Sequence, residues 1–245
     1  MTVVETCDLN GAQTWLYRPT HADRRLPALA IGAEATGVNS FIHGVARSLA
    51  ALGFITVVPD YYRGAGPVDP EDYSDVEQIM RHVDTLDFVR ATHDVMHAVQ
   101  LLVDDPRVDP DRVGVWGYCT GATLAWLTAC LRPDVSLAVL FYPSQPVFDR
   151  LSLKRPTHPL DLVWNLGCPV YFVYGTLDPV MPPRLLAELR NRLQHWNVKH
   201  TIRLFDGCGH SFAAPIPGRQ NLEAYGQAWA EAVSYAVKQL GPDER

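Results

Sequence analysis

The sequence predicts an α/β fold with a mostly parallel central sheet flanked by helices on both faces. Short apolar runs rich in β-branched and aromatic residues recur along the chain, and segments of helix length separate them. This alternation is typical of parallel strands joined by helical crossovers. The apolar runs are continuous rather than interrupted at every second position, which indicates strands that are buried on both faces.

The predicted elements are an N-terminal hairpin, six core strands and five helices. Residues 3–18 are predicted to form an antiparallel hairpin that covers one edge of the sheet, because Asn10-Gly11 is a strong two-residue turn signal. The predicted core strands are residues 27–31, 54–58, 113–116, 137–141, 170–174 and 201–205. The predicted helices are residues 41–52, 86–104, 122–131, 183–196 and 222–240. Residues 64–75 and 144–165 contain prolines and show no clear period, so they are predicted loops with room for short helices.

The composition argues against several classes of protein. The chain has 245 residues, of which 47% are hydrophobic and 20% charged, and 21 Lys and Arg against 27 Asp and Glu give a net charge of −6. No basic run exceeds the pair Arg24-Arg25, whereas nucleic-acid binding needs a clustered basic surface. No stretch approaches the roughly 18 consecutive apolar residues of a membrane span. We therefore expect one domain over residues 1–245, a monomer or homodimer, without a nucleic-acid or membrane partner.

The N-terminus and the cysteines predict the compartment. Glu5, Asp8 and Asn10 fall where the apolar segment of a secretory signal should begin. The chain has five cysteines, an odd number, and none of them shows the spacing of a metal site. They are Cys7, Cys119, Cys130, Cys168 and Cys208. We expect a cytoplasmic protein with reduced thiols, one of which is a candidate reactive group. No dinucleotide fingerprint, P-loop or H-E-x-x-H pattern is present, so no cofactor and no metal are expected.

The most informative segment is the sequence Gly-Tyr-Cys-Thr-Gly at residues 117–121, which lies between a predicted strand and a predicted helix. It matches the nucleophile elbow G-x-S-x-G with a sulfur in place of the hydroxyl oxygen. The glycines fit a turn too tight for side chains, and the start of the helix favours a thiolate at Cys119. The alternative is that Cys119 is a small buried hydrophobic residue, which is the usual fate of a free cysteine.

A base and an acid are predicted at the same sheet edge. In this fold the nucleophile is followed in the chain by the acid and then by the histidine. Of the histidines after Cys119, His210 follows the predicted strand 201–205, and Asp178 follows the predicted strand 170–174. Both therefore lie at the carboxyl ends of parallel strands, where active sites of open α/β sheets collect. Asp178 could instead cap the helix that begins near residue 183.

Five segments together resemble the dienelactone hydrolase family of the α/β-hydrolase fold, and the resemblance spans residues 27–240. The segments are Ala33-Glu34-Ala35-Thr36-Gly37-Val38-Asn39, Val58-Pro59-Asp60-Tyr61-Tyr62, Gly117-Tyr118-Cys119-Thr120-Gly121, Gly175-Thr176-Leu177-Asp178-Pro179 and Gly209-His210-Ser211-Phe212. A cysteine elbow combined with the Glu-x-x-Gly-x-Asn segment is much more specific than the elbow alone.

The resemblance implies a set of catalytic roles. Cys119, Asp178 and His210 would form the triad, with Glu34 beside the thiol as a helper in proton handling. The backbone N–H groups of Ala35 and Thr120 would form the oxyanion hole. Glu34 is independently plausible because it lies on a loop at a strand end, although a solvated or ion-paired loop carboxylate is the alternative.

The resemblance also implies arginines that hold a substrate carboxylate. Arg63 and Arg81 are the candidates in the region after Asp60, whereas Ala214 occupies the position four residues after the histidine where the family pattern has an arginine. Tyr142 and Phe212 are the candidates for an aromatic, less charged lining instead.

The expected function is hydrolysis of lactones or small activated esters through a thioester on Cys119. A thioesterase or acyltransferase would use the same residues. A protein of another class, which binds a ligand in the pocket without catalysis, is the further alternative, although such proteins usually lack a triad member. A redox role that pairs Cys119 with Cys208 is also considered, although Cys208 fits a structural role better.

Overall fold

A single eight-stranded sheet organises the fold, and the computed structural model describes residues 2–241. The strands are β1 (Thr2–Leu9), β2 (Ala12–Pro19), β3 (Leu26–Gly32), β4 (Ile55–Pro59), β5 (Val108–Tyr118), β6 (Ala138–Phe141), β7 (Val170–Gly175) and β8 (His200–Phe205). Their order across the sheet is β1-β2-β4-β3-β5-β6-β7-β8. The six strands from β4 to β8 are parallel, and β1 and β2 are antiparallel to their neighbours. The predicted α/β class is confirmed; the ends of the predicted domain, residues 1 and 242–245, lie outside the described residues.

The helices connect the strands as crossovers. They are α1 (Ser40–Ala51), α2 (Val76–Thr85), α3 (Phe88–Asp104), α4 (Thr120–Leu131), α5 (Pro183–His195) and α6 (Leu222–Leu240), with a 3₁₀ helix at Pro159–Asn165. Five of the six α-helices match predicted segments to within two residues at each end. Among residues 2–241 no helix is both long enough and apolar enough to cross a membrane.

The N-terminal hairpin forms as predicted and covers the β4 edge of the parallel strands. Asn10 and Gly11 both adopt positive φ angles, 55° and 85°, which is the backbone geometry of the tightest hairpin turns. Strand β2 then pairs with β4, so the hairpin extends the sheet with two antiparallel strands.

Helix α2 was not predicted, because its apolar residues are separated by charged ones and follow a loop rich in proline and glycine. Its N-cap residue is Asp75, whose side chain accepts a hydrogen bond from the backbone N–H of Gln78. Its apolar residues Val76, Ile79, Met80 and Val83 recur at intervals of three and four positions. This spacing, together with the cap, is the signal of an amphipathic helix and could have revealed it.

Strand β8 corrects the prediction that every core strand is buried on both faces. It is the last strand of the sheet, so only one neighbour covers it, and most of its residues are half-buried. By contrast, every residue of β3 and β7 is buried. A continuous apolar run therefore indicates a parallel strand but does not distinguish the edge from the centre.

The end of β3 and the start of α4 are in direct backbone contact. A side-chain Cβ built on Gly121 would lie 2.1 Å from the carbonyl carbon of Gly32. No side chain can be accommodated at that distance, so Gly121 is required by the close approach itself. The contact fixes α4, which is buried on all sides from Thr120 to Cys130, against the sheet.

Substitution of Gly121 tests this contact. Gly121→Ala should lower the free energy of unfolding by about 3 kcal/mol or more, because the backbone of β3 must shift to admit the methyl group. The matched control is Gly44→Ala in α1, where a Cβ would meet no atom within 4 Å. That change should stabilise the protein by about 0.5–1 kcal/mol, since alanine loses less entropy in a helix. Urea unfolding of both variants measures the difference, and equal effects would contradict the contact.

Candidate active site

Cys119 lies at a tight turn, between the last residue of β5 and the first residue of α4. Its φ and ψ angles are 49° and −117°, a conformation that costs a non-glycine residue of order 1–3 kcal/mol. The surrounding structure holds it there, in part through a hydrogen bond from its backbone N–H to the carbonyl oxygen of Phe141, 3.0 Å away. The strained turn presents the sulfur at the carboxyl edge of the sheet.

His210 and Asp178 complete a chain of side chains that begins at this sulfur. The Sγ atom of Cys119 lies 3.2 Å from His210 Nε2, and His210 Nδ1 lies 2.9 Å from Asp178 Oδ2. The Asp178 side chain is fully buried, and its second oxygen accepts a hydrogen bond from the backbone N–H of Val180 at 2.9 Å. The structure thus brings together three residues from the ends of three separate strands, in the arrangement that nucleophilic catalysis requires.

The environment of His210 favours the protonated ring. Burial lowers the pKa of His210, but the negative charge of Cys119 and the hydrogen bonds with Asp178 and Cys119 outweigh it and raise the pKa to about 10. The ring nitrogen Nε2 of His210, 3.2 Å from the Cys119 sulfur, is within reach to exchange a proton with it.

Glu34 is a buried acid beside these groups. Its Oε2 atom accepts a hydrogen bond from the Tyr73 hydroxyl at 3.1 Å, and its Oε1 atom accepts one from the Tyr142 hydroxyl at 3.2 Å. Burial raises the pKa of Glu34 to about 7, although both tyrosine hydrogen bonds and the charge of His210 lower it. A carboxyl group that titrates near neutral pH can hold or release a proton under physiological conditions.

The loop after β3 lies beside the same groups, and its residue Ala35 lines the cavity. The Tyr62 hydroxyl donates to the carbonyl oxygen of Ala35 at 2.8 Å, and the Tyr61 hydroxyl donates to that of Glu34. These bonds satisfy two carbonyl oxygens of the loop, whose residue Ala35 lines the cavity together with Thr120. Within residues 2–241 neither the N–H of Ala35 nor that of Thr120 has a hydrogen-bond acceptor, so both could hold an oxyanion.

A cavity of about 170 Å³ opens above Cys119 and His210. It is lined by residues of the loop after β3, of α2 and the loop before it, of the elbow, and of the loops after β6, β7 and β8: Glu34, Ala35, Thr36, Tyr73, Val76, Ile79, Met80, Val83, Cys119, Thr120, Ser144, Gln145, Val180, His210, Ser211, Ile216 and Arg219. A concave, mostly apolar site with a few convergent polar groups is typical of a small-molecule pocket.

Comparison with known proteins identifies the family. The model of the dienelactone hydrolase family matches residues 12–240. The chain belongs to the dienelactone hydrolase family. A Bradyrhizobium protein named "probable 2-oxo-3-(5-oxofuran-2-ylidene)propanoate lactonase" is 32% identical over 221 residues, which cover 90% of this chain and 87% of that protein. A Salmonella typhimurium protein provisionally named carboxymethylenebutenolidase is 29% identical over 209 residues, which cover 84% of this chain and 76% of that protein.

The solved structures agree on the fold. The crystal structure of a Klebsiella pneumoniae protein provisionally assigned as a dienelactone hydrolase superposes with a TM-score of 0.87 at 24% identity, covering 97% of this chain and 99% of that chain. This likeness shows the α/β-hydrolase fold. Membership of the dienelactone hydrolase family makes the protein a carboxylic ester hydrolase.

The structure corrects the expectation that Arg63 and Arg81 hold a substrate carboxylate. Arg63 makes a two-fold ion pair with Asp94, through Nε at 3.0 Å and Nη2 at 2.5 Å, and the Asp94 side chain is fully buried. Arg81 is exposed on the outer face of α2 and pairs with Glu77. Neither arginine lines the cavity, because each is committed to a carboxylate elsewhere. Arg219, which was not among the residues predicted from the sequence, is an arginine that does line the cavity.

Tyr142 and Phe212 also differ from the expectation, since they lie behind the cavity wall and not on it. Both are fully buried, and neither lines the cavity. The Tyr142 ring packs against the rings of His210 and Phe212, with centroids 5.4 and 5.7 Å apart, while its hydroxyl binds Glu34. Tyr142 therefore contacts both Glu34 and His210, and Phe212 packs behind Tyr142.

The other four cysteines take no part in the chain from Cys119 to Asp178. All five cysteines are free thiols, and burial raises the pKa of Cys168 to about 12 and that of Cys130 above its ordinary value. Cys208 is buried and accepts a hydrogen bond from the side-chain amide of Asn221 at 3.6 Å. Across residues 2–241 no cluster of three or more His, Cys, Asp and Glu has the geometry to hold a metal ion.

Sequence reasoning missed Tyr73, although it is central to the environment of Glu34. Tyr73 belongs to the loop before α2, its hydroxyl accepts a hydrogen bond from Asn39 Nδ2 at 2.7 Å, and it donates to Glu34. No pattern in the sequence marks a lone tyrosine in such a loop. Asn39 was part of a recognised segment, and its amide proves to be the link that holds Tyr73 in place.

The pKa of Glu34 predicts a pH-dependent stability. Its folded-state pKa is about 7, above the ordinary value of 4.5, so its stabilising contribution is complete below pH 4.5 and is lost as the pH rises through 7. Relative to Glu34→Gln, the parent protein should therefore lose about 2–3 kcal/mol of unfolding free energy between pH 5 and pH 8. Urea unfolding at the two pH values measures this, and parallel pH profiles for parent and variant would disprove a titrating Glu34.

Proposed function

We propose that the protein hydrolyses lactones or small activated esters, with Cys119 as nucleophile, His210 as acid and base, and Asp178 as the residue that orients His210. The observation that carries the proposal is the chain from Cys119 Sγ through the His210 ring to Asp178, at 3.2 and 2.9 Å, at the base of a cavity. Family membership and a relative named as a lactonase support the substrate class.

The first half of the proposed reaction transfers the acyl group to sulfur. The Cys119 thiolate attacks the carbonyl carbon, and the resulting oxyanion accepts hydrogen bonds from the N–H groups of Ala35 and Thr120. Collapse of this adduct breaks the bond to the leaving oxygen, which takes a proton from the His210 imidazolium. A thioester and a neutral imidazole remain.

The second half returns the enzyme to its starting state. Neutral His210 takes a proton from water while the oxygen adds to the thioester, and the same two N–H groups hold the new oxyanion. Collapse releases the carboxylic acid and regenerates the Cys119 thiolate beside the His210 imidazolium. Asp178 stabilises the imidazolium in both states and does not itself take up a proton.

The sulfur nucleophile favours substrates with a good leaving group. A thiolate leaves a tetrahedral adduct more readily than an ordinary alkoxide, so unactivated esters tend to revert to substrate. Enol lactones and aryl esters expel stabilised anions, which shifts the collapse toward the thioester. Activated esters and lactones therefore match the proposed site better than alkyl esters.

Glu34 is proposed as a helper that tunes the charge of the site. In its ionised form it favours the imidazolium of His210, whereas in its neutral form it removes a negative charge from the space that the oxyanion enters. Its pKa near 7 lets it change between the two forms during turnover at little cost.

We also propose that the protein functions in a reducing compartment, such as the cytoplasm, because the reaction needs a free thiol at Cys119. A thioesterase or acyltransferase would use the same residues, and a panel of oxygen esters, thioesters and acyl acceptors would separate these activities. A binding protein without catalysis is disfavoured by the complete chain from Cys119 to Asp178.

Replacement of the nucleophile tests the proposal. Cys119→Ala should lower kcat/KM for an activated aryl ester or an enol lactone by at least about 10³-fold, because no other group can form the acyl intermediate. The matched control is Cys7→Ser, since Cys7 is an exposed cysteine of β1 remote from the elbow, and its kcat/KM should equal that of the parent.

Intact-mass measurement provides a second readout. An electrophilic lactone should add one acyl group to the native parent and to Cys7→Ser, and none to Cys119→Ala. Full activity in Cys119→Ala would eliminate Cys119 as the nucleophile. A parent protein that is labelled only after denaturation would favour the binding function.

A further inference from the structure

One wall of the cavity is the inner face of α2. Val76, Ile79, Met80 and Val83 all line the cavity, and their spacing of three and four residues places them on one side of the helix. Ile79 and Val83 are buried, whereas Val76 and Met80 are each 44% exposed and so keep surface available to a ligand. This wall is apolar along two helical turns.

Tyr73 joins α2 to the loop that carries Glu34. It lies three residues before Val76, its hydroxyl is held by Asn39, and it donates to the carboxyl group of Glu34 at 3.1 Å. Glu34 directly precedes Ala35, one of the two candidate oxyanion donors. The apolar wall therefore begins on the side of the cavity where this loop lies.

The loops that carry Asp178 and His210 form a second side of the cavity. Val180 comes from the loop after β7, and Ser211, Ile216 and Arg219 come from the loop after β8. In the proposed reaction His210 gives its proton to the leaving oxygen, so the leaving group occupies this second side. The acyl part of the substrate then extends toward α2.

The two sides differ in charge. Among the described residues that line the cavity, Arg219 carries the permanent positive charge, and it belongs to the leaving-group side. The described residues that line the acyl side include no cation, and one of them is the acidic Glu34. A carboxylate on the acyl group would lose its hydration against apolar side chains without gaining an ionic partner, which is strongly unfavourable.

We propose that the enzyme selects esters and lactones whose acyl part is apolar and uncharged, and that Met80 limits the length of that part. This inference rests on the proposed function, since it assigns the acyl group relative to His210. The cavity of about 170 Å³ is similar to a cavity of roughly 150 Å³ that binds benzene, and the acyl part shares it with the leaving group, so an acyl chain of fewer than about six carbons fits.

A panel of aryl esters of one phenol tests the selection on the parent protein. The acyl groups run from two to eight carbons, and each is paired with an ester of the same length that ends in a carboxylate. The apolar esters should gain about four-fold in kcat/KM for each buried methylene until the acyl side of the cavity is full, at fewer than about six carbons, and no more beyond that length. Each should exceed its carboxylated partner by at least about ten-fold.

Variants of α2 locate the selecting residue. Met80→Ala should move the best acyl length upward by about one or two carbons, because the cavity becomes deeper. Met80→Arg should raise kcat/KM for the carboxylated esters relative to the apolar ones by at least about ten-fold, since it supplies the missing ionic partner. The matched control is Arg81→Met, at the neighbouring position on the exposed face of α2, which should leave both preferences unchanged.

The outcomes separate this inference from the proposed function. A parent that prefers the carboxylated esters, or a folded Met80→Arg with an unaltered preference, would overturn the inference while the function stands if Cys119→Ala is inactive. Activity that survives in Cys119→Ala would instead remove the proposed function. Circular dichroism checks the fold of each variant, and the parent's own ratio decides the question if the α2 variants do not fold.

Discussion

The site depends on one backbone contact, the packing of Gly121 in α4 against Gly32 at the end of β3. This contact, in which a Cβ on Gly121 would lie only 2.1 Å from the Gly32 carbonyl carbon, holds the first turn of α4 against the sheet. It therefore sets the position of Cys119 relative to the edge of the sheet. It also sets the distance between α4 and the loop after β3, which carry the two candidate oxyanion N–H groups. Nucleophile and oxyanion site are thus positioned by the same few atoms.

An element of the fold could be predicted from the sequence where its residues are of one kind along its length. Parallel strands buried in the sheet are continuous apolar runs, and the hairpin turn at Asn10-Gly11 has a backbone geometry that few dipeptides adopt. Helix α2 was missed because a helix that covers a cavity is apolar on one side only, so its mean composition resembles that of a loop. The half-buried state of β8 was also missed, since edge position is a property of strand order and not of the strand's own residues.

The residues of the site also include some whose positions the sequence predicts and others whose contacts it does not predict. The positions of Cys119, His210 and Asp178 follow from local rules, because each comes directly after a parallel strand and such strands share one edge. The partners of charged and hydroxyl side chains do not follow, because they are set by packing between distant segments. Arg63 is paired with Asp94 of α3, and Tyr73 reaches Glu34 across 39 positions of sequence. A candidate ligand-binding arginine therefore cannot be chosen by charge alone.

The hydroxyl of Tyr73 couples the position of α2 to the protonation of Glu34. Its hydrogen bond is one of the interactions that lower the pKa of Glu34 against the effect of burial. A ligand that displaced the segment before α2 would remove this donor and increase the proton affinity of the carboxyl group. By reciprocity, protonation of Glu34 weakens the attachment of that segment to the rest of the protein. For such a ligand, binding and proton uptake would be linked equilibria, and its binding enthalpy would depend on the ionisation enthalpy of the buffer.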